Sequence, residues 1–391
     1  MNEQTAPNRA SPDLREKFRE LHGQDSLLVQ APGRVNLIGE HTDYNEGFVF
    51  PVAIGFQTQI AIAKRPDRQL VVTSENYGER VDYDLDHLPR SPRDHWSDYV
   101  VGIVELLEQK IGSLPGANLL LRGNVPQGAG LSSSASLEVA VCKAFLELSG
   151  KSMEGVSIAL LCQQAENEFV GARCGIMDQF ISVHGKKNHA LQLDCRSLEF
   201  RLLPIPPDVR LVICNTMVKH SLAGGEYNIR RAECEAAAHF FAERIPGVKS
   251  LRDVTLKDFE MFSGQMTGVI RKRCHHILTE NLRVLRAGDA LQTGDLRLFG
   301  RLMGESHASL RDDFEVSSEE LDLMVQLAGA NPGVYGARMT GGGFGGCTVN
   351  LVEEKRVENF SKNVAAGYKK ATGRSPEIYV SWAADGAGRL A

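Results

Sequence analysis

Asn124-Val-Pro-Gln-Gly-Ala-Gly-Leu-Ser-Ser-Ser-Ala-Ser136 separates a predicted strand from a predicted helix. Before it, residues 117–122 place Leu119 and Leu121 on one side, as a half-buried strand does. After it, Leu137, Val141, Ala144, Phe145 and Leu148 recur at helical spacing, and Gly150 is placed to end the helix. Strand, glycine-serine loop and helix N-terminus together suit an anion. Gly128 and Gly130 let the backbone come close, and free N–H groups of the first turn point at the ligand. Ser132, Ser133 and Ser134 add hydroxyls for phosphate oxygens or a metal ion. A Ser-rich helix cap is the plainer reading, although one serine would serve that purpose. The stretch matches neither G-x-x-x-x-G-K-[ST] nor G-x-G-x-x-G.

The chain has 391 residues, enough for two domains with full-sized cores, and a globular composition of 42% hydrophobic and 24% charged residues. Its net charge of −5 gives no electrostatic reason to expect nucleic acid or an anionic membrane. An anionic ligand therefore has to be held by local donors and a metal. No apolar run approaches the ~18 residues of a membrane span, and the first residues carry no apolar segment of a secretory signal. A cytoplasmic protein is expected, with its scattered cysteines reduced and mostly buried.

Residues 1–10 are expected to form a disordered tail, 12–22 a short charged helix and 26–30 a strand. Ala31-Pro-Gly-Arg-Val-Asn-Leu-Ile-Gly-Glu-His-Thr-Asp-Tyr-Asn-Glu-Gly47 then reads as a loop with a short apolar centre. Arg34, Glu40, His41 and Asp43 crowd between its glycines, which suits a small polyhydroxylated ligand. A solvated polar turn with a surface histidine fits the composition equally well. Trp96 opens a helix over 96–111, either to stack on a base or to pack in the core. Ile158, Leu161, Cys162, Ala165 and Phe169 form a second helical stripe. At ~100° per residue Glu166 lies ~80° from its middle and Glu168 on the opposite shoulder, so spacing does not choose between them. Asp178 follows a glycine break among Ile176, Met177 and Phe180, where a carboxylate is either capped or working.

In the second half, a strand over 210–215 is followed by helices over 227–245, 266–288, 295–309 and 317–328, the last opened by a capping box Ser317…Glu320. A strand over 334–339, a glycine-rich turn over 340–346, a strand over 347–352, a helix over 354–371 and a strand over 377–382 complete the chain. With the helical insertion set aside the order is β-α-β-β-α-β, that of ferredoxin-like domains. So many glycines in one turn predict a backbone that approaches a ligand or the other domain. A phosphate-binding loop, candidate metal carboxylates, a polyol-binding loop and an arginine make up the kit for phosphoryl transfer to a sugar hydroxyl. Hydride transfer lacks its dinucleotide fingerprint, and triad hydrolysis lacks G-x-S-x-G.

The stretch 31–45 resembles the signature of the galactokinase family. Pro126-Gln-Gly-Ala-Gly-Leu-Ser-Ser-Ser-Ala135 resembles the ATP motif of the wider superfamily of galactokinase, homoserine, mevalonate and phosphomevalonate kinases. Met339-Thr-Gly-Gly-Gly-Phe-Gly-Gly-Cys347 is similar to that superfamily's third motif, and Cys174-Gly-Ile-Met-Asp-Gln179 with Glu226-Tyr227 narrows the likeness to galactokinases. The resemblance implies an α+β fold in which an N-terminal domain like ribosomal protein S5 domain 2 precedes a ferredoxin-like C-terminal domain with a helical insertion. Boundaries are expected at 1–25 for the tail and short helix, 26–205 for the domain with the sugar and ATP motifs, and 206–391 for the C-terminal domain. The implied reaction is phosphorylation of the C1 hydroxyl of D-galactose by ATP with Mg²⁺, the first committed step of galactose catabolism in the Leloir pathway.

By the same resemblance Glu40, His41, Thr42 and Asp43 hold galactose hydroxyls, joined by the Gly175 backbone and Tyr227. Gly128, Ala129, Gly130, Leu131, Ser132, Ser133 and Ser134 wrap the ATP phosphates, and Ser74 and Trp96 lie by the adenine. Ser134 and Glu166 serve the magnesium ion. Asp178 is the implied general base and Arg34 the group that stabilises the transferring phosphoryl. Galactose and ATP are the expected partners of a monomer that binds neither nucleic acid nor membrane. A kinase of the same family for N-acetylgalactosamine, arabinose or glucuronate is an alternative. A galactose sensor or binding module without chemistry is another, against which the whole Gly130–Ser136 loop, Arg34 and Asp178 argue.

Overall fold

The computed structural model describes residues 13–219 and 223–391, so the expected tail over 1–10 lies outside the described residues. A 6-stranded sheet organises the first half, in the order Gly388–Leu390, Leu27–Asn36, Pro51–Lys64, Ala117–Gly123, Gln69–Ser74, Glu79–Asp84. Neighbours are antiparallel except Gln69–Ser74, which runs parallel to Ala117–Gly123. Helices Asp98–Ile111, Ser133–Ser149 and Gly155–Gln164 cover one face, with Leu107, Phe145 and Ile158 packed on Ile60, Val72 and Leu119. Helix Leu14–His22 covers part of the other face through Leu14 and Phe18. That cover corrects the expected half-buried strand. Leu120, on the side opposite Leu119 and Leu121, is 0% exposed because Phe18 and Ala61 pack against it.

Helix Ser133–Ser149 ends where expected: Gly150 is left-handed at φ 63°, and its N–H donates to the Glu147 and Leu146 carbonyls. Leu27–Asn36 is longer than its sequence suggests. It continues through Ala31-Pro-Gly-Arg, where a loop was expected, by absorbing a register shift between Pro32 and Arg34.

A 4-stranded antiparallel sheet organises the second half, in the order Val334–Thr340, Gly345–Glu353, Val209–Lys219, Glu377–Ser381. Helices Glu319–Gly329 and Val357–Thr372 pack on it through Met324, Phe360 and Tyr368, which completes the predicted β-α-β-β-α-β order. Helices Ala223–Ala242, Leu256–Phe262, Gly268–Gln292 and Leu296–Asp312 form the insertion. The predicted capping box is corrected by one residue: Ser318 caps helix Glu319–Gly329 by accepting from Leu321 N, while the Ser317 hydroxyl donates to Asp322.

The pairings do not follow a single cut at 205/206, because Gly388–Leu390 returns to pair with Leu27–Asn36. One apolar cluster also joins the halves, bringing Val35, Leu37 and Phe50 against Ile213, Phe299 and Val349. A site between the halves is therefore held by a shared core.

Candidate active site

Arg34 reaches the site because its strand presses on the serine loop. A Cβ on Gly33 would lie 2.6 Å from the Leu131 carbonyl, so only glycine allows the approach, and Arg34 N donates to that same oxygen at 3.1 Å. The buried Arg34 guanidinium donates Nε to Asp178 Oδ1 (2.8 Å) and Nη2 to Asp178 Oδ2 (2.7 Å), a bidentate fork. Its Nη1 donates to the Gly130 carbonyl at 2.5 Å. Asp178, in the first turn of helix Met177–His184, also accepts from Ser132 Oγ at 2.5 Å. To make that bond Ser132 takes a left-handed φ of 60°, uncommon for a residue with a Cβ. Its hydroxyl, expected on the ATP phosphates, is directed at Asp178 instead.

Arg34 and Asp178 border a cavity of about 210 Å³ that Glu40, His41, Asp43, Gly175 and Tyr227 also line. His41 Nε2 must donate to the Gly342 carbonyl (3.2 Å), because a carbonyl only accepts, so Nδ1 accepts from the Tyr44 hydroxyl (3.0 Å). Burial lowers the His41 pKa to about 3, with the neighbouring His276 adding to the effect, so the ring is neutral and both nitrogens are engaged within the protein. Burial raises the Asp43 pKa to about 6, reinforced by the charge of Asp178. That setting makes Asp43 the tuned group of the sugar loop, still ionised at neutral pH. Gly175 abuts it so closely that a Cβ there would sit 2.0 Å from Asp43 Oδ2. Thr42 departs from expectation. Its fully buried hydroxyl donates to the carbonyls of Gly39 (2.9 Å) and Phe48 (2.6 Å), holding the loop rather than lining the cavity.

A second cavity of about 830 Å³ is lined by Ser74, Trp96, Gly128, Ser133 and Ser134. No side chain caps the N-terminus of helix Ser133–Ser149, so its first-turn N–H groups are available to an anion. Ala129 and Leu131 point their side chains into the core shared by the halves, which leaves only their backbone for a ligand. Trp96 stacks on Tyr77, with ring centroids 5.4 Å apart and planes at 9°, on the wall of this cavity. Tyr77 carried no sequence signal, because only the fold brings it to Trp96.

Glu166 sits in a π-helical turn, Ala165–Val170, that continues helix Gly155–Gln164. The i→i+5 turn rotates less per residue than an α-helix, so extrapolating from the stripe fails there. Glu166 is buried, whereas Glu168 is exposed and accepts from Gln164. The Ser134 hydroxyl lies close enough to the Glu166 carboxylate to favour its charged form, and Gln179 Nε2 donates to Glu166 Oε2 (2.5 Å) and to Glu138 Oε2 (3.0 Å). Glu138 and Gln179 were not singled out in the sequence, although Glu138 stands one turn after Ser134 on the same helix face. Burial, then the charge of the other carboxylate, holds Glu138 well above the usual carboxylate range, and burial with Asp178 raises Glu166.

The buried Glu138 Oε1 has no hydrogen-bond partner among the described residues. Excess buried carboxylate beside a serine hydroxyl is a hard oxygen set that fits Mg²⁺. Among the described residues no group of three His, Cys, Asp or Glu side chains is placed to hold a metal by itself.

The glycine-rich turn closes the site from the other half. Gly341 N donates to Glu40 Oε1 (2.8 Å), and a Cβ on Gly341, which has φ 89°, would lie 3.1 Å from the Gly130 carbonyl. The expected close approach is thus to the opposite half of the chain.

Comparison with known proteins places this geometry. A model described as the galactokinase galactose-binding signature matches residues 16–64, and models of the GHMP kinase N-terminal and C-terminal domains match 98–186 and 289–370. A protein of Roseiflexus sp. (strain RS-1) named galactokinase is 47% identical over 379 residues, covering 97% of each chain. A crystal structure of Lactococcus lactis galactokinase complexed with galactose superimposes with a TM-score of 0.92 at 36% identity, over 96% of this chain and 99% of that one. The mevalonate kinase of Methanococcus jannaschii shares the fold at a TM-score of 0.63 and 18% identity, over 93% of this chain and 100% of its own.

Proposed function

The chain belongs to the galactokinase family, and from that premise we propose a division of labour for its site. The enzyme phosphorylates galactose at the expense of ATP. The acceptor is the C1 hydroxyl, bound in the small cavity with Glu40 and Asp43 as hydrogen-bond acceptors and the neutral His41 with Tyr227 as wall. Asp178 takes the C1 proton, and Arg34 faces the phosphoryl group between the two cavities. The first-turn N–H groups of the serine loop hold the ATP phosphates, and the Tyr77–Trp96 pair offers a flat apolar face to the adenine. Ser134 and Glu166 would hold Mg²⁺, which when bound neutralises phosphate charge. With ATP as the donor, the reaction belongs in the cytoplasm.

One observation carries the reading: Arg34 and Asp178 form a bidentate pair on the wall of the small cavity while Arg34 also holds the Gly130 carbonyl of the serine loop. ADP release measured with a panel of free sugars tests it. Galactose is the expected best acceptor, and glucose, which differs at C4, should fall by at least about 10²-fold in kcat/KM because it leaves a polar group of the site unmatched. Comparable turnover of glucose, or faster turnover of N-acetylgalactosamine, overturns the substrate assignment and leaves the kinase chemistry standing.

Two further results follow from the carboxylates. Glu166→Gln is expected to raise the Mg²⁺ concentration for half-maximal rate by about tenfold while galactose affinity holds, and Glu168→Gln to change neither. Equal behaviour of the two variants contradicts the metal assignment. Asp43 is a charged, stronger acceptor for a sugar hydroxyl only when ionised, and its pKa is about 6. As pH falls through that value Asp43 gains its proton, so kcat/KM for galactose should decline on the acid side. A pH profile of Asp43→Asn should lack that limb; a limb unchanged in the variant assigns it to another group.

A further inference from the structure

Arg338 is fully buried, and it is the first residue in order of size among the wholly enclosed side chains. It lies on the edge strand Val334–Thr340 of the C-terminal sheet, yet its guanidinium reaches the sugar loop of the other half. Nη1 donates to the Asn36 carbonyl at 3.2 Å and stands 3.5 Å from Glu40 Oε1. Among the described residues Nε and Nη2 have no hydrogen-bond partner. Glu280, also fully buried, accepts from Gly39 N (2.8 Å) and pairs with Arg283 (2.7 Å), whose charge acts on it more strongly than that of Arg338. Glu280 is thus already served by Arg283, whereas Glu40 depends on Arg338 as its nearest cation.

An arginine with unpartnered buried donors is costly as a core residue. A leucine or methionine would fill the space without that cost, and replacing buried ions by apolar residues is often neutral or stabilising. The side chain therefore calls for a role beyond packing. We propose that Arg338 is a positioning residue for galactose: with the Gly341 amide it fixes Glu40 Oε1 from behind, so that the Glu40 carboxylate faces the small cavity as a charged, oriented acceptor for a sugar hydroxyl. Two groups of the second half hold one carboxylate of the first, and the hydroxyl acceptor is set by the closure of the halves on each other. Burial pushes Glu40 upward, and the Arg338 charge is the foremost opposing influence, ahead of Arg34. Arg338 touches no reacting atom, so its removal should weaken sugar binding and spare the chemical step.

The inference rests on the assignment of Glu40 to the sugar, and a double-mutant cycle separates the two. Galactose binding is measured by calorimetry, with Mg²⁺·ADP binding as the check that the other cavity is intact, on wild type, Arg338→Met, Glu40→Gln and the double variant. Arg338→Met is expected to raise the galactose Kd by at least about tenfold, the cost of a charge-assisted hydrogen bond, with ADP affinity and kcat at saturating galactose within about threefold of wild type. In the Glu40→Gln background the same substitution should change the galactose Kd by less than about twofold. Arg338→Lys, which keeps the charge in the core but not the fork, should recover part of the affinity, and it completes the cycle if Arg338→Met does not fold. An unchanged galactose Kd in the Arg338 variants overturns the inference, as does the same loss with and without Glu40. If Glu40→Gln itself leaves the Kd unchanged, the assignment of Glu40 to the sugar falls, and Arg338 as its support falls with it.

Discussion

Arg34→Met is expected to lower kcat by about 10³-fold or more at saturating galactose and Mg²⁺·ATP, because an arginine placed on a transferring phosphoryl group is typically worth that much. Three of its contacts make the position demanding. Nε and Nη2 clamp Asp178 while Nη1 holds the Gly130 carbonyl, so one planar fork ties the proposed base to the serine loop. Lysine has one charged nitrogen and no plane, so Arg34→Lys should recover little. The loss is expected in kcat, with galactose affinity within about threefold, because charge on the phosphoryl oxygens grows only in the transition state. A loss below about tenfold with either variant removes Arg34 from the chemistry.

Asp178→Asn is expected to lower kcat by about 10²–10⁴-fold, the usual range for general-base assistance. Asparagine preserves the shape and can still accept from Arg34 and Ser132 through one oxygen. The change therefore takes away the proton acceptor and leaves the cavity wall in place. Asp43 is the rival base, and its pKa of about 6 is suited to proton transfer. Position decides against it: Gly175 lies against one Asp43 oxygen and Tyr44 N donates to the other at 2.9 Å, while Asp178 is held by the arginine that also grips the serine loop. Asp43→Asn should accordingly act mainly on KM for galactose.

What was legible in the sequence was whatever depends on neighbours along the chain. The stripe Val141, Ala144, Phe145, Leu148 with Gly150 behind it marks the serine-loop helix closely, since burial of one face and a left-handed cap are both local demands. The order of the C-terminal strands was readable for the same reason, each strand being bounded by its own turn. Contacts between distant segments left no such trace. Leu120 looked solvent-facing until Phe18 covered it, and Arg34 looked like a loop residue until a bulge carried its strand past Pro32. Glu166 and Glu168 could not be separated because a π-turn breaks the helical period where the choice is made. Ser132 was assigned with its neighbours to the phosphates, but its strained backbone directs the hydroxyl to Asp178. Arg338 acts on Asn36 and Glu40 far away in the chain, and Gln179 joins Glu138 to Glu166 only in the fold, so the i,i+4 spacing of Glu138 from Ser134 was the one trace they left.

Single-turnover formation of galactose 1-phosphate, with excess enzyme mixed with galactose and Mg²⁺·ATP, tests the central claim most directly, because it reads the chemical step apart from product release. For Asp178→Asn the expected rate is about 10³-fold below wild type, with galactose still bound within about threefold of its normal affinity. A variant that retains more than about a tenth of the wild-type rate contradicts proton abstraction by Asp178 and leaves positioning and electrostatics, with Arg34, as the whole of the catalysis.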